Sequence, residues 1–434
     1  MKVLVIGSGG REHAIVWKLA QSEDILELIC APGNVAMGEE RLRANGERVR
    51  LQPISATDLD GVTAYAEREQ VDLVVVAPDD PLGMGMVDRL QEAGIRAWGP
   101  NQSAARFESS KAFAQAFMDR HGIPTAKSGS FTDVDTAMDF VDSLGGKCAV
   151  KVDGLALGKG VFLCENSAEA KEALDKILVQ RSFGEAGSTV VIQEFLEGIE
   201  VSLHAFCDGS TTALFPSSQD HKRAYDGDQG PNTGGMGTYS PAPFLSEKDV
   251  ESIQKTILDP WLKGCKEEGI LYQGILYPGI ILTQEGPKVL EFNARFGDPE
   301  TQVYLPRMQN DLLDVMEACL DGELDQVTLE WTDEACVCVV MASGGYPGNY
   351  EKGKVIQGIS EAEQSFPGQV KVFLAGVKLN ESESDWVTNG GRVLGVTALG
   401  TNLSQAREIA YKAAEQISFE GAMMRSDIAM KALV

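Results

Sequence analysis

From position 291 the sequence reads Glu-Phe-Asn-Ala-Arg-Phe-Gly-Asp-Pro-Glu-Thr-Gln, ending at Gln302. Val289-Leu290 leads into this run, so it is expected to begin as a buried strand. Side chains alternate on a strand with a period of two. That places Glu291, Asn293 and Arg295 on one face and turns Leu290 and Phe292 toward a core. A carboxylate and an amide oxygen suit Mg²⁺, and a guanidinium fork suits the phosphate oxygens such a metal would hold. Gly297-Asp-Pro-Glu-Thr is expected to turn sharply and bring Asp298 to the same spot. The chemistry indicated is phosphoryl transfer; the alternative is a half-buried edge strand with a polar outer face.

A second cluster runs from Val150 to Val161, containing Lys151, Asp153-Gly154 and Gly158-Lys159-Gly160. Lys151 leaves a strand, and the glycines form a turn whose N–H groups can wrap phosphates. This is not G-x-x-x-x-G-K-[ST] before a helix, because Val161-Phe-Leu-Cys continues as a strand. A hairpin clamp over phosphates is the expectation. Downstream, Gln193-Glu194-Phe195-Leu196 leaves another strand, where an exposed backbone hinge can pair with an adenine edge and Glu200 can take ribose hydroxyls.

The N-terminal Gly7-Ser-Gly-Gly-Arg-Glu12 does not fit dinucleotide binding. That fingerprint needs glycine where Glu12 stands and an acid ending the second strand, which ends Ile29-Cys30-Ala31 instead. A glycine turn opening a helix still offers backbone N–H groups to an anion. Gly9, Gly10 and Arg11 are therefore candidates for a phosphorylated substrate, Arg11 as a solvated surface residue being the alternative. Pro78-Asp79-Asp80-Pro81 follows another parallel strand, at the edge where open α/β folds bind ligands.

These residues need elements to hold them. The first hundred residues alternate strands (3–6, 26–30, 73–77, 95–99) with helices (14–21, 58–69, 85–93), a doubly wound pattern. A new helix begins at 101–104. Past Pro124 a smaller unit has strands at 149–152 and 190–193 around a helix at 168–179. Residues 219–237 lack hydrophobic periodicity and read as a long ordered loop of functional kind. The C-terminal part forms a separate α/β unit, with strands at 335–342 and 393–398 and a helix at 403–417. The division expected is 1–103, an N-terminal substrate-binding domain; 104–330, a nucleotide-binding domain with a mobile lid at about 124–195; and 331–434, a C-terminal domain.

The net charge of −26 excludes a general binder of nucleic acid or anionic membrane. The N-terminus lacks a signal peptide's basic region and no apolar run reaches spanning length, so a cytoplasmic enzyme is expected. Eight scattered cysteines without a Cys-x-x-Cys pair read as structural thiols of a reducing compartment, and four unclustered histidines argue against zinc.

Together the motifs resemble the ATP-grasp superfamily and, within it, the phosphoribosylamine–glycine ligase family. The resemblance rests on Gly7-Ser-Gly-Gly-Arg-Glu-His-Ala, Ser110-Lys111-Ala-Phe, the 151–161 cluster, the run 219–237, Arg295-Phe-Gly-Asp-Pro-Glu-Thr-Gln, Gly344-Gly-Tyr-Pro-Gly and Gly390-Gly-Arg-Val-Leu-Gly. The chain departs at Ala77-Pro-Asp79, where the family usually has Gly-Pro-Glu, and at Ser109-Ser-Lys111, where it usually has Gly-Ser-Lys.

What this implies is an ATP-grasp architecture and ligation of glycine to 5-phosphoribosylamine at the expense of ATP, through a glycyl phosphate, in purine biosynthesis. Mg²⁺ or Mn²⁺ would sit on Glu291 and Asn293. ATP would meet Lys111, Lys151, Gly154, Gly158, Lys159, Gly160, Gln193, Glu194, Leu196 and Glu200. Arg295, Lys151 and Asp298 would serve catalysis. Substrates would meet Gly9, Gly10, Arg11, Pro78, Asp79, Asp220, Lys222, Arg223, Asp298 and Arg392, with Asp220 and Asp298 facing the glycine ammonium. A monomer or weak homodimer, with no nucleic acid or membrane partner, is implied. The rival readings are an ATP-grasp ligase for another acid or amine, and a non-catalytic nucleotide-binding protein.

Overall fold

The computed structural model describes residues 1–155 and 160–433. Its first sheet is parallel and five-stranded, in the order Arg50–Leu51, Glu27–Pro32, Lys2–Gly7, Leu73–Val76, Ala97–Trp98. Continuous apolar runs such as Leu-Val-Val-Val at 73–76 are buried throughout because helices cover both faces. Lys2–Gly7 pairs with Glu27–Pro32 on one side and Leu73–Val76 on the other. The strand order therefore reverses there, and the crevice beyond Gly7 and Ala77 is where such sheets take ligands.

A four-stranded antiparallel sheet follows, in the order Ser128–Phe131, Val190–Glu194, Cys148–Val152, Val161–Cys164. Its two cross-paired middle strands bury Val150, Val152, Val190 and Ile192 against the helices Val134–Ser143 and Ser167–Leu174. The expected hairpin is present: Lys151 pairs with Val161 and Cys148 with Cys164. Gly158 and Lys159 lie outside the described residues.

A second antiparallel sheet is built on the long strand Gly274–Thr283, which pairs with Ile199–Ser202, Ala205–Cys207 and Gly286–Asn293. Behind it, Phe107, Phe117, Trp261 and Tyr272 make an aromatic core with Phe292. The last sheet has Ala335–Ser343 and Arg392–Gly400 at its centre. It also takes in Gly237–Ser240, which pairs with Ala335–Ser343, and Gln219–Asp220 beyond it.

This corrects the expectation for residues 219–237. Instead of one long loop they form two short strands of the C-terminal sheet and a separate hairpin, Arg223–Tyr225 with Gln229–Asn232. The strands are too short to show periodicity. The signal present was Asp226-Gly227, since a tight hairpin needs positive φ, and Gly227 and Asp228 have φ of 65° and 55°.

Candidate active site

One cleft of about 1110 Å³ is lined from every part of the chain, by Arg11, Lys111, Lys151, Glu291, Asp298 and Arg392 among others. Glu291 and Asn293 reach it from the strand Gly286–Asn293, opposite Gly279 and Tyr277. The ladder shifts register between Gly279 and Ile280, which pair with Glu291 and Val289, so Leu290 is squeezed out of the pairing. The alternation expected for Leu290 therefore fails: Leu290 borders the cleft and does not join the core that takes Val289 and, at 2% exposure, Phe292. A bulge reverses the facing of the residue it displaces. The Leu290 carbonyl accepts a hydrogen bond from Lys151 Nζ at 3.0 Å.

The strand ends at Asn293, and Arg295 follows it without leaving the cleft. Arg295 Nη2 lies 2.9 Å from Glu108 Oε1, and Nη1 donates to the Phe296 carbonyl at 3.0 Å. The second Glu108 oxygen accepts the Ala294 N–H at 2.8 Å. Burial would lower the Arg295 pKa, but Glu108 and Asp79 outweigh it and hold the guanidinium firmly charged. Burial likewise works against an ionised Glu291, and Lys151, Lys222 and Lys111 overcome it, leaving its pKa below the ordinary value. Asn293 Nδ2 donates to the Tyr277 carbonyl at 3.3 Å, which leaves the amide oxygen for another ligand.

Lys151, next to last in its strand, is 6% exposed. Burial brings its pKa down to about 8, with Glu291 resisting and Lys111 reinforcing the fall. Lys111 opens the helix Lys111–His121, whose start is tied to the glycine loop. Asp153 accepts the Ala112 N–H at 2.7 Å and the Ser110 hydroxyl at 3.2 Å. Gly154 donates to the Ala186 carbonyl at 3.2 Å, and the Gly160 carbonyl accepts the Val152 N–H at 2.8 Å. Glu200 pairs with Lys222 at 3.0 Å, and that charge chiefly depresses its pKa.

Where the strand Val190–Glu194 ends, the Gln193 side chain is buried and donates to Gln115 at 2.9 Å. Glu194 exchanges bonds with Lys127, its N–H donating to the Lys127 carbonyl at 2.9 Å and its carboxylate accepting the Lys127 N–H at 3.0 Å. The Leu196 N–H has no protein acceptor among the described residues.

At the parallel-sheet crevice, the Gly9 N–H is already taken by Glu12 Oε2 at 2.6 Å, which corrects the expectation that it is free for an anion. The carboxylate of Glu12 also pairs with Arg11 Nε at 2.5 Å. Arg11 is no solvated surface residue: it is 7% exposed and donates to the Phe296 carbonyl at 3.1 Å. Gly10 is needed for close approach, since a Cβ there would lie 2.8 Å from Gln302 Nε2. Pro78 caps the helix Asp79–Met84, and Arg295 and Arg11 lower the Asp79 pKa against burial.

Asp298 is held from two sides. Arg392 Nη2 approaches it at 2.7 Å and Gln302 Nε2 donates to it at 2.7 Å. Against burial, Arg392 and Arg11 keep its pKa below the ordinary range. Asp220 behaves oppositely: burial and the neighbouring Glu300 push it well above. Gly235 passes beside it with φ of 110°, where a Cβ would sit 2.8 Å from Asp220 Oδ1. Arg223 lines the cleft and donates to the Gly230 carbonyl at 2.7 Å.

Sequence reasoning missed Glu108, Gln115 and Tyr277, which all line the cleft. Glu108 sits in the helix expected to begin at 101–104, observed as Gln102–Ser109, and only the fold brings it to Arg295. Glu300 was visible beside Asp298. Its actual partners are the Tyr277 hydroxyl at 2.6 Å and the Ser202 hydroxyl at 3.1 Å.

Two antiparallel sheets closing lysines over a strand-borne Glu-x-Asn pair, beside a doubly wound sheet, define an ATP-grasp enzyme, a class that uses ATP and a divalent metal. Residues 1–108, 109–301 and 336–431 match the phosphoribosylglycinamide synthetase N domain, ATP-grasp (A) domain and C domain. A phosphoribosylamine–glycine ligase of Caldanaerobacter subterraneus subsp. tengcongensis is 44% identical, over 99% of both chains. The trifunctional purine biosynthetic protein adenosine-3 of Gallus gallus is 48% identical over the whole chain, which spans 42% of that longer protein. The crystal structure of phosphoribosylamine–glycine ligase from Thermotoga maritima superposes with a TM-score of 0.82 at 32% identity, covering 99% of this chain and 100% of that one. The chain belongs to the phosphoribosylamine–glycine ligase family.

Proposed function

We propose that the chain joins glycine to 5-phosphoribosylamine, converting ATP to ADP and phosphate, as the step of purine biosynthesis that gives glycinamide ribonucleotide. The observation that carries this reading is the match over 99% of both chains to a phosphoribosylamine–glycine ligase, in a chain whose cleft is lined by Lys111, Lys151, Glu291, Asn293 and Arg295. A glycine carboxylate oxygen takes the γ-phosphoryl group from ATP and ADP leaves. The ribosylamine nitrogen then attacks the acyl carbon of glycyl phosphate, the C–O bond to phosphate breaks, and the nitrogen loses a proton.

Phosphoryl transfer asks mainly for position and charge neutralisation. Lys151 and Lys111 stand where ATP phosphates would lie, with the Leu196 amide and Glu200 toward the nucleoside. Arg295, fixed by Glu108, meets the transferring group. Asp298, steadied by Arg392, and Asp220 would face the glycine ammonium. Gly10, Arg11, Asp79 and Arg223 border the space left for the phosphorylated sugar.

Glu291 and Asn293 fit a divalent metal, because one supplies an ionised carboxylate and the other an amide oxygen that takes no hydrogen bond among the described residues. Two protein oxygens are what Mg²⁺ needs when phosphates and water complete its shell, and Mn²⁺ accepts the same donors. Bound there, the metal neutralises charge on the ATP oxygens.

The same reading takes the chain as three domains, 1–103, 104–330 with a lid at about 124–195, and 331–434, acting in the cytoplasm as a monomer or weak homodimer. Among the described residues no helix is long and apolar enough to cross a membrane.

The test is phosphate release from ATP by purified protein, with ribosylamine generated in situ. Release should require both glycine and ribosylamine. Release with a different acid or amine would indicate another ATP-grasp ligase, and ATP binding without turnover a sensor.

A further inference from the structure

The hairpin Arg223–Tyr225/Gln229–Asn232 presents Arg223 and Asn232 to the cleft, directly after Lys222. By itself it has little to stabilise it. Of its strand residues only Ala224 is buried, and an isolated two-stranded hairpin is marginal in water. Its turn, Asp226–Asp228, is gripped instead by residues two hundred positions downstream.

The grip involves each turn residue in succession. Asp226 accepts the Ser426 N–H at 2.8 Å. The Gly227 N–H donates to Asp427 Oδ2 at 2.9 Å. Asp228 pairs with Arg425 Nη1 at 3.1 Å and with the Lys431 ammonium. Arg425 is the centre of the arrangement, its side chain fully excluded from solvent. It forks onto Asp427 through Nε and Nη2, both at 2.7 Å, and its Nη1 also donates to the backbone carbonyl of Arg223 at 3.1 Å. Such a fork fixes orientation as well as distance. Asp228 and Lys431 themselves line the cleft.

We propose that the C-terminal segment 425–431 is a clasp that positions the 222–232 hairpin for substrate binding, with Arg425 as the positioning residue. It acts through the hairpin residues Arg223 and Asn232, which line the cleft, and touches no reacting atom. This rests on the functional reading above. The hairpin leads through Gly234, whose carbonyl accepts from Arg392, to the side of the cleft holding Asp298. The clasp therefore serves the glycine and ribosylamine side more than the nucleotide.

The test uses the full-length chain with Arg425→Met and, separately, the milder Lys431→Met. Two readouts are taken at low temperature: steady-state kinetics for each substrate, and hydrogen exchange of the amides. Loosening the clasp should raise the KM for ribosylamine at least about tenfold in Arg425→Met, and by less in Lys431→Met. The KM for ATP should change little. Exchange should speed up at 223–232 and stay slow in the parallel sheet. Unchanged ribosylamine KM with a lowered melting temperature would make Arg425 merely structural and overturn the proposal. Unchanged protection at 223–232 would overturn it too. If Arg425→Met does not fold, Lys431→Met decides by the same criteria. Should the wild-type protein not require glycine and ribosylamine, the functional reading fails, and the exchange data still decide whether the clasp holds the hairpin.

Discussion

Arg295 and Glu108 meet in the wall of the cleft, Nη2 and Oε1 2.9 Å apart, with the second carboxylate oxygen on the Ala294 N–H. The brace of Arg295 is thus a helix residue far upstream, and neither Asp298 nor Glu300 in its own turn. Those two acids are engaged with Arg392 and with Tyr277. The guanidinium is held in one orientation before any ligand arrives.

From this geometry, Arg295→Lys should lower kcat by about a hundred- to a thousandfold, the usual cost of one preorganised donor. Nucleotide affinity and metal binding should change little, because lysine keeps the charge and loses the fork. Glu108→Gln should lower kcat in the same direction while leaving the KM for ATP near wild type. Steady-state kinetics together with a melting curve on one preparation check this. A normal kcat with a lowered melting temperature would confine Arg295 to bracing the turn.

Glu291→Gln keeps the shape of the side chain and removes its charge, so the fold should survive. The metal concentration needed for half-maximal turnover should rise, about tenfold or more. Titration with Mg²⁺ and with Mn²⁺ at fixed ATP measures it, and normal turnover at limiting metal would remove Glu291 from the ligand set.

The pKa of Lys151, brought down to about 8 by burial, gives a pH dependence with a definite sign. The protonated amine binds phosphate, so kcat/KM for ATP should fall as pH rises through about 8 in the free enzyme. Lys151→Arg, charged throughout, should shift that fall to higher pH. Stability of the unliganded chain runs the other way. Between about 8 and the ordinary 10.5 the unfolded chain holds the proton and the folded one does not, so this group's contribution rises with pH across that window. Thermal melts from pH 7 to 10, with and without ATP, separate the two effects.

Asp298→Asn should raise the KM for glycine while leaving the KM for ATP unchanged, since the carboxylate stands on the Arg392 side of the cleft. Arg392→Met removes the cation that keeps Asp298 ionised and should cost stability by up to about 3 kcal/mol. Isothermal titration with glycine in the presence of a non-hydrolysable ATP analogue checks the first expectation, and chemical denaturation the second. Unaltered glycine affinity in Asp298→Asn would exclude contact with the ammonium.

The sequence by itself determined much of this protein. Apolar runs bounded by turn residues located the parallel strands at 2–7, 27–32 and 73–76, because a strand buried on both faces must be apolar throughout. The spacing of Glu291 and Asn293 placed a carboxylate and an amide on one face, and Lys151 followed by glycines announced a hairpin. Local chemistry of this kind is written in consecutive residues.

What tertiary structure alone decided depends on contacts between distant segments. Leu290 borders the cleft because a bulge opposite Gly279 and Ile280 displaces it, and a bulge leaves no mark on hydrophobic alternation. Residues 219–220 and 237–240 join the C-terminal sheet because Ala335–Ser343 pairs with Gly237–Ser240, so strands too short to show a period gain their partner from elsewhere in the chain. Glu12 takes the Gly9 amide that the glycine turn seemed to reserve for a ligand. Glu108 meets Arg295, and Arg425 meets Asp228, across separations that no local pattern encodes. A charge finds its partner only when the fold removes water from both, and the sequence fixes that only through the whole of the packing.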